Sequence, residues 1–382
     1  MREGCHSINC ITPPHILRAI ADRGSAEQQA KANQTMQLTA RFREQRQVAM
    51  ASAATAARAA LAANKDRNVY DAQHGSSLPG VLVRKEGDAP VSDPAVNEAY
   101  DGAGATYDLY LDSYQRNSID DKGMVINSSV HYQVGYDNAF WNGQQMVYGD
   151  GDEDLPESQR LFNRFTIAVD VIGHELTHGV TQYEANLVYS YQSGALNESM
   201  SDVFGSLVKQ RLKGETASQA DWIIGEGLFT SNVNGVGIRS MKAPGTAYDD
   251  PVLGKDPQPA TMSDYVNTTS DNGGVHINSG IPNHAFYVTA VEIGGNAWEK
   301  AGMIWYVTLR DKLASTADFQ EAARLTFETA GELYGVNSLE QNAVKKGWAE
   351  VEIDVAGTPT PSPGCSGALI GLLRSLTGSS KS

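Results

Sequence analysis

Cysteine is scarce: Cys5, Cys10 and Cys365 are the three in 382 residues, and all lie outside the long central stretch. No disulfide framework can therefore support that stretch. Long apolar runs are missing too. No segment approaches the ~20 apolar residues of a membrane span, so no membrane partner is expected. The opening Met1-Arg2-Glu3-Gly4-Cys5-His6 leads into polar sequence without the apolar core of a signal peptide, so export, if it happens, is expected by another route. Basic residues are outnumbered, 30 against 45, and the formal net charge of −15 disfavours nucleic acid as a partner.

That charge is unevenly spread. Residues 1–67 hold ten Lys and Arg against five Asp and Glu, whereas residues 68–356 hold eighteen against forty. A basic leader thus precedes an acidic body on which it can dock electrostatically; a basic arm with no docking role is the alternative. With 382 residues, 41% apolar and 20% charged, the chain is of ordinary globular composition and long enough for more than one domain. It is expected to be a monomer.

What the body does have is a short run of metal-site chemistry. In Val171-Ile172-Gly173-His174-Glu175-Leu176-Thr177-His178-Gly179-Val180 two imidazoles stand four residues apart with a carboxylate beside the first. On a helix that spacing stacks both rings on one face. Such a pair can hold zinc, leaving Glu175 able to take a proton from a water that the metal activates. A helix with two chance histidines would look the same, so a third ligand is required. The candidate is Glu198 in Asn197-Glu198-Ser199-Met200-Ser201-Asp202, with Asp202 on the same helix face as the carboxylate that orients a histidine. Ala195, Leu196, Val203, Phe204 and Leu207 make this second helix largely apolar, where an unpaired carboxylate would be costly.

The remaining chain sorts into four regions: a leader at 1–66, a β-rich lobe with the two metal-bearing helices at 67–210, a helical lobe at 211–356, and a proline-rich linker and tail at 357–382. The leader reads as a short amphipathic helix over 11–23 entered through Pro13-Pro14 and ended by Gly24. A second helical stretch over 26–48 follows, then an alanine-rich run over 49–63. That run has little to bury and resembles a junction, so proteolytic cleavage is expected within 47–67. Strands are expected at 80–84, 107–111, 124–132 and 146–149. Between the last two, residues 136–143 carry polar groups that can pair with an extended peptide laid along a sheet edge; a hairpin loop with packed aromatics is the alternative. Helices are expected at 277–293, 298–313, 318–334 and 339–350, the last opened by a capping box of Ser338 and Gln341. The fold class is α+β with two lobes, and catalytic sites favour the cleft between lobes.

Four separated motifs in one order, His174-Glu175-Leu176-Thr177-His178, the 197–202 segment, Ala139-Phe140-Trp141-Asn142-Gly143, and Asp271-Asn272-Gly273-Gly274-Val275-His276, make residues 69–351 resemble the thermolysin-like neutral zinc metallopeptidases. The diproline and short leader are similar to the protealysin-type subgroup, whose brief propeptide rests against the cleft. The resemblance implies one zinc ion on His174, His178 and Glu198, Glu175 as general base, and Asp202 orienting His174. It also implies that His276 stabilises the oxyanion with Asp271 orienting its ring, and that Tyr189 helps hold the oxyanion. Arg239 would grip the substrate carbonyl beyond the scissile bond, and Asn138 and the backbone of Ala139 would bind substrate amides. A core tyrosine, a structural salt bridge and a loop amide are the plainer alternatives for Tyr189, Arg239 and Asn138. Phe162, Phe165, Val171, Ile224, Leu228 and Ile238 fall where the walls of the family's apolar subsite should be. That implies a polypeptide substrate cut before bulky apolar residues such as Leu or Phe, and a secreted enzyme made as a latent precursor.

One departure concerns calcium. The family's paired calcium site uses several acids, and the matching positions here read Asp170, Lys209, Asp221, Ile223 and Glu226. Calcium wants six to eight oxygens, so the paired site is expected to be absent, with Lys209 neutralising the remaining acids. The leader is expected to occupy the cleft with Pro13-Pro14 near the metal, because a diproline lacks the amide hydrogens of a cleavable segment. Cys10 or His15 as a fourth zinc ligand is an alternative. Aminopeptidases with a similar helix pair are disfavoured, since Glu198 lies twenty residues beyond His178, one more than their spacing, and no Gly-Ala-Met-Glu signature is present. A zinc-stabilised binding module without activity conflicts with the presence of Glu175, Asp271 and His276, and with an open metal site.

Overall fold

The computed structural model describes residues 9–53 and 64–357; Cys5, Cys365, the proline-rich linker, the tail and most of the alanine-rich junction lie outside them. The leader contributes a strand and two helices. Strand β1 (Asn9–Cys10) leads through Pro13 into α1 (Pro14–Arg23), whose buried residues Ile16, Leu17 and Ile20 recur at helical spacing. Gly24 ends α1, its amide donating to the Ile20 carbonyl. Helix α2 (Ala26–Ala53) covers the second helical stretch and continues into the first residues of the alanine-rich run, and it buries a narrow stripe of Gln28, Lys31, Ala32, Thr35 and Thr39.

The body opens on β2 (Arg67–Asp71) and β3 (Val81–Lys85), followed by α3 (Pro94–Tyr114). The strand expected at 107–111 is the last part of that helix. Asp93 caps it by accepting from the Ala95 amide, and Pro94 fits its first turn. Ala99, Ala103, Tyr107, Tyr110 and Tyr114 are buried at three- and four-residue intervals, a helical period that the local alternation in 107–111 obscures. Strands β4 (Ile126–Val130), β5 (Ala139–Trp141) and β6 (Met146–Tyr148) complete a six-stranded sheet in the order β1-β5-β6-β4-β2-β3. The leader is thus the outer strand, antiparallel to β5 with Cys10 opposite Phe140.

Below the sheet lie α4 (Val169–Tyr183) and α5 (Tyr191–Lys213), both largely buried. They approach closely because Gly173 faces Gly205: a Cβ on Gly173 would lie 3.0 Å from the Gly205 Cα, and one on Gly205 would lie 2.4 Å from the Asp170 carbonyl oxygen. A short antiparallel pair, β7 (Ile223–Ile224) and β8 (Arg239–Ser240), crosses the loop-rich stretch. The long helix expected over 277–293 is present as α7 (Gly280–Ile293), reached through the helical Ser279 from the kinked α6 (Asp271–Asn278), and α8 (Lys300–Asp311), α9 (Phe319–Tyr334) and α10 (Leu339–Glu350) finish the helical lobe. Asp318 and Ser338 cap α9 and α10 with their side chains.

Candidate active site and metal centre

Helix α4 places His174 and His178 with their Nε2 atoms 2.9 Å apart, and α5 brings Glu198 opposite, 3.4 Å from His174 Nε2 and 3.5 Å from His178 Nε2. All three side chains are fully buried. Ligands at ~2.0–2.1 Å from a tetrahedral zinc stand ~3.3 Å from one another, so these edges fit one ion. Two further features fit it. Glu198 Oε2 has no hydrogen-bond partner among the described residues. Each histidine also has its other nitrogen occupied: His174 Nδ1 lies 2.8 Å from Asp202 Oδ1, and His178 Nδ1 lies 2.8 Å from Asn197 Oδ1 and 2.9 Å from Ser201 Oγ. That leaves both Nε2 lone pairs for a metal. Asn197 and Ser201 escaped the sequence argument, although they sit four apart on α5, beside Glu198 and Asp202.

Burial opposes charge throughout the centre, and the neighbours decide which groups carry it. Asp202 is held down to about 2 despite its burial, by the Arg239 guanidinium and by His174. Glu198 is held well below the usual carboxylate range by the surrounding imidazoles. His174 is raised to about 9 by Asp202 and Glu198 against its burial. Glu175 goes the other way: burial lifts it to about 8. Its Oε2 accepts from the Trp141 amide at 3.0 Å and its Oε1 has no hydrogen bond among the described residues. Nothing else holds that oxygen, which suits a group that must take up a proton.

His276 faces the centre from α6. Asp271 holds it twice, through Nδ1 at 2.6 Å and through the backbone amide at 2.9 Å. Asp271 and Asn272 adopt left-handed conformations, and Gly273 and Gly274 continue the turn at φ 90° and 78°, where glycine is favoured. Asp271 raises the His276 ring against its burial. The Tyr189 hydroxyl lies 3.2 Å from His276 Nε2 and donates to Glu198.

The groups expected to hold a substrate backbone hold the leader's. The Thr12 amide donates to Asn138 Oδ1 at 2.9 Å, the Ile11 amide to the Ala139 carbonyl at 3.2 Å, and Arg239 to the Ile11 carbonyl at 3.3 Å. His276 Nε2 donates to the Cys10 carbonyl at 3.1 Å. Arg239 also forms a two-pronged pair with Asp202, both contacts 2.7 Å, so it belongs to a structural salt bridge as well. Phe162, Phe165, Val171, Ile224, Leu228 and Ile238 are all buried in the cluster that also contains Ile11.

Two expectations about the leader need correction. Residues 10–12, rather than the diproline, make these contacts, because the chain turns at Pro13, the N-cap, into α1, whose first residue is Pro14. Neither candidate fourth ligand joins the metal group. Cys10 packs in a separate cluster with Tyr132, Tyr136 and Phe140, and His15 Nε2 lies 2.9 Å from the Tyr248 hydroxyl.

Two family models match the sequence: "Thermolysin metallopeptidase, catalytic domain" over residues 25–182 and "Thermolysin metallopeptidase, alpha-helical domain" over 185–353. The chain belongs to the thermolysin metallopeptidase family. It is a zinc metalloendopeptidase with the family's two-lobed fold. It is 49% identical to an extracellular metalloprotease of Pectobacterium carotovorum subsp. carotovorum over 90% of this chain and 96% of that protein. It is 52% identical to protease PrtS of a Photorhabdus strain over 76% of each. Among solved structures, the precursor of protealysin from Serratia proteamaculans superposes with a TM-score of 0.81 at 50% identity, covering 90% of this chain and 99% of that one.

At the positions where thermolysin-like enzymes were expected to carry paired calcium, Lys209 occupies the middle. Its ammonium lies 3.2 Å from Asp170, 2.8 Å from Asp221 and 3.8 Å from Glu226, and donates to the Ile223 carbonyl at 2.6 Å. The Asp170 carboxyl is pushed up by burial, with Lys209 pulling against it.

Proposed function

We propose that this thermolysin-like chain is made as a latent precursor whose leader, residues 1–66, blocks the cleft, and that the released body, 67–356, cuts peptide bonds before bulky apolar residues. The observation that carries this is the register of the leader: Cys10, Ile11 and Thr12 run antiparallel to β5 and engage His276, Ala139, Arg239 and Asn138 in turn. A substrate is an extended peptide with the same donors and acceptors, so the leader and a substrate compete for one edge. In that register Ile11 stands directly after the carbonyl that His276 holds, and it is a bulky apolar residue buried among apolar neighbours. The leader thus carries the side-chain type that the specificity assigns to the residue following the cut.

In the mature enzyme, zinc on His174, His178 and Glu198 supplies Lewis-acid chemistry at the scissile carbonyl. Glu175 takes the proton of the attacking water through its unengaged Oε1 and passes it to the leaving amine. His276 and Tyr189 donate to the oxygen on which negative charge develops, and Asp271 fixes the His276 ring for that task. Arg239 and Asn138 hold the substrate backbone in line. Lys209, with its ammonium among Asp170, Asp221 and Glu226, takes the place of paired calcium. Names such as "extracellular metalloprotease" among the relatives support work outside the cell.

The test is to incubate the purified full-length chain with zinc, with and without a chelator, and sequence any new amino terminus. A zinc-dependent terminus within 47–67, accompanied by a rise in peptide hydrolysis, is expected. A full-length chain as active as one starting near Arg67 would sink the latency.

A further inference from the structure

Away from the cleft, the loop after β2 and the ends of β4 and β6 bring His74, His131 and Asp150 together, each offering a ligand atom within 4.8 Å of the others. Asp150 Oδ2 lies 2.9 Å from Nδ1 of His131 and 3.5 Å from Nδ1 of His74. The two rings are 5.5 Å apart and inclined at 53°. The cluster opens onto a cavity of about 490 Å³ that Glu153 and Asp154 also line. The peptidase reaction uses none of these residues.

Two observations distinguish the cluster from side chains that merely share a surface. The first is how the backbone holds it. The His74 amide donates to the His131 carbonyl at 2.9 Å and the Gln133 amide to the Gly75 carbonyl at 3.2 Å, tying one loop to the other. Both histidines sit in left-handed conformations, φ 54° and 55°, uncommon for residues with a side chain. The second is the far side of His131. Its Nε2 lies 2.7 Å from Asp93 Oδ2, while Asp93 Oδ1 caps α3 through the Ala95 amide at 2.9 Å. A histidine that gives one ring proton to an anchored carboxylate presents the lone pair of its other nitrogen, and this is how metal-bound histidines are commonly supported. Here that other nitrogen meets both Asp150 oxygens, at 2.9 and 3.0 Å, so in the metal-free protein a proton lies between them and an incoming ion would take its place.

We propose that His74, His131 and Asp150 form a second site for a divalent transition metal, zinc being the ion whose chemistry fits best, separate from the buried His174–His178–Glu198 centre. Two imidazoles and one carboxylate suit zinc or its neighbours in the first transition row, whereas calcium and magnesium want mostly oxygen. Asp154 stands outside the ligand set because Lys31 holds it. The site is three-coordinate from protein and open to solvent through the half-exposed His74, so the ion would keep water and bind less tightly than in the buried centre. Its effect would be a cross-link, pinning the loop that follows the body's first strand onto the ends of β4 and β6.

The experiment counts metal per chain in the full-length protein carrying Glu175→Gln, which keeps it intact, after equilibration with buffered low-micromolar zinc. The same chain with His74→Ala is measured beside it. His74 is 55% exposed, so its truncation leaves the fold in place. The expected result is one ion fewer in the His74→Ala chain, with loss of the weaker phase in a zinc titration of thermal stability. Asp150→Asn should lose the same ion. Equal metal content with and without His74→Ala, whether one ion or two, would overturn the proposal and leave the cluster as an ion pair of His131 with Asp93 and Asp150.

Discussion

His276 Nε2 donates to the carbonyl of Cys10 at 3.1 Å, so the imidazole assigned to the oxyanion is already occupied by the leader. Breaking that contact should release activity without any cut. Ile11→Asp puts an unpaired carboxylate where the side chain is fully buried, at a cost of several kcal/mol to the docked state alone. The full-length variant is expected to hydrolyse an apolar peptide at least about tenfold faster than the unaltered full-length chain. No change in that rate would argue against the leader as the block.

Glu175→Gln removes the base and leaves the ligands. Loss of a general base costs about 10²–10⁴ in rate, so peptide hydrolysis by the released body should drop by at least that lower factor while zinc content is unchanged. Undiminished turnover in this variant would contradict the role given to Glu175.

Acid should loosen the leader through His15. Burial, helped by His276, Arg18 and Arg239 and opposed by Asp271, pushes this ring down from 6.5 to about 4. Its Nδ1 has no hydrogen-bond partner among the described residues to share an added proton. The free leader takes up a proton below pH 6.5, whereas the docked leader stays neutral until about pH 4. Docking is therefore strongest above 6.5 and weakens as pH falls between those values, by at most about 3 kcal/mol, less in proportion to the ring's contact with solvent. Hydrogen exchange of β1 and α1 in the intact chain should show the loss between pH 7 and 5. His15→Gln should flatten it.

Arg239→Ala should hurt stability as much as turnover. It leaves Asp202 buried with His174 and Asn283 as its remaining partners. Breaking a buried pair of this kind costs about 3–5 kcal/mol, readable as a lower urea midpoint. Arg239→Lys is expected to recover only part of it, because a lysine cannot make the two-pronged contact.

Lys209→Met should also be costly, since it leaves Asp170, which is 1% exposed, without the Lys209 countercharge and with only the Val171 and Gly225 amides as hydrogen-bond donors. Calcium should give the unaltered protein no large thermal stabilisation, a single weak site being compatible with the replacement. Two tight calcium sites with large thermal stabilisation would refute the replacement by Lys209.

The buried His174–His178–Glu198 group could be anticipated from the sequence because its chemistry is local: His174 and His178 need only one helix, and Glu198 with Asp202 needs only its neighbour. Glu198 stood out because an apolar helix cannot easily bury a lone carboxylate. Helix α3 was obscured because Tyr107 to Leu111 alternate like a strand over five residues, and the helical period shows only across the whole run from Asp93 to Tyr114. The contacts of Cys10, Ile11 and Thr12 with β5 depend on pairing across more than a hundred residues, which no local pattern announces. The same holds for His74, His131 and Asp150, which meet only through the parallel pairing of β2 with β4 and of β4 with β6.

The placement of β1 as an outer strand has a kinetic consequence. A tethered strand meets its groove at an effective concentration in the millimolar range, and a severed one only at its bulk concentration. One cut in the connection to the body would therefore convert the leader from a permanent occupant into a dilutable competitor, even if every contact it makes stayed as it is. Dilution alone would then complete the activation that the cut begins.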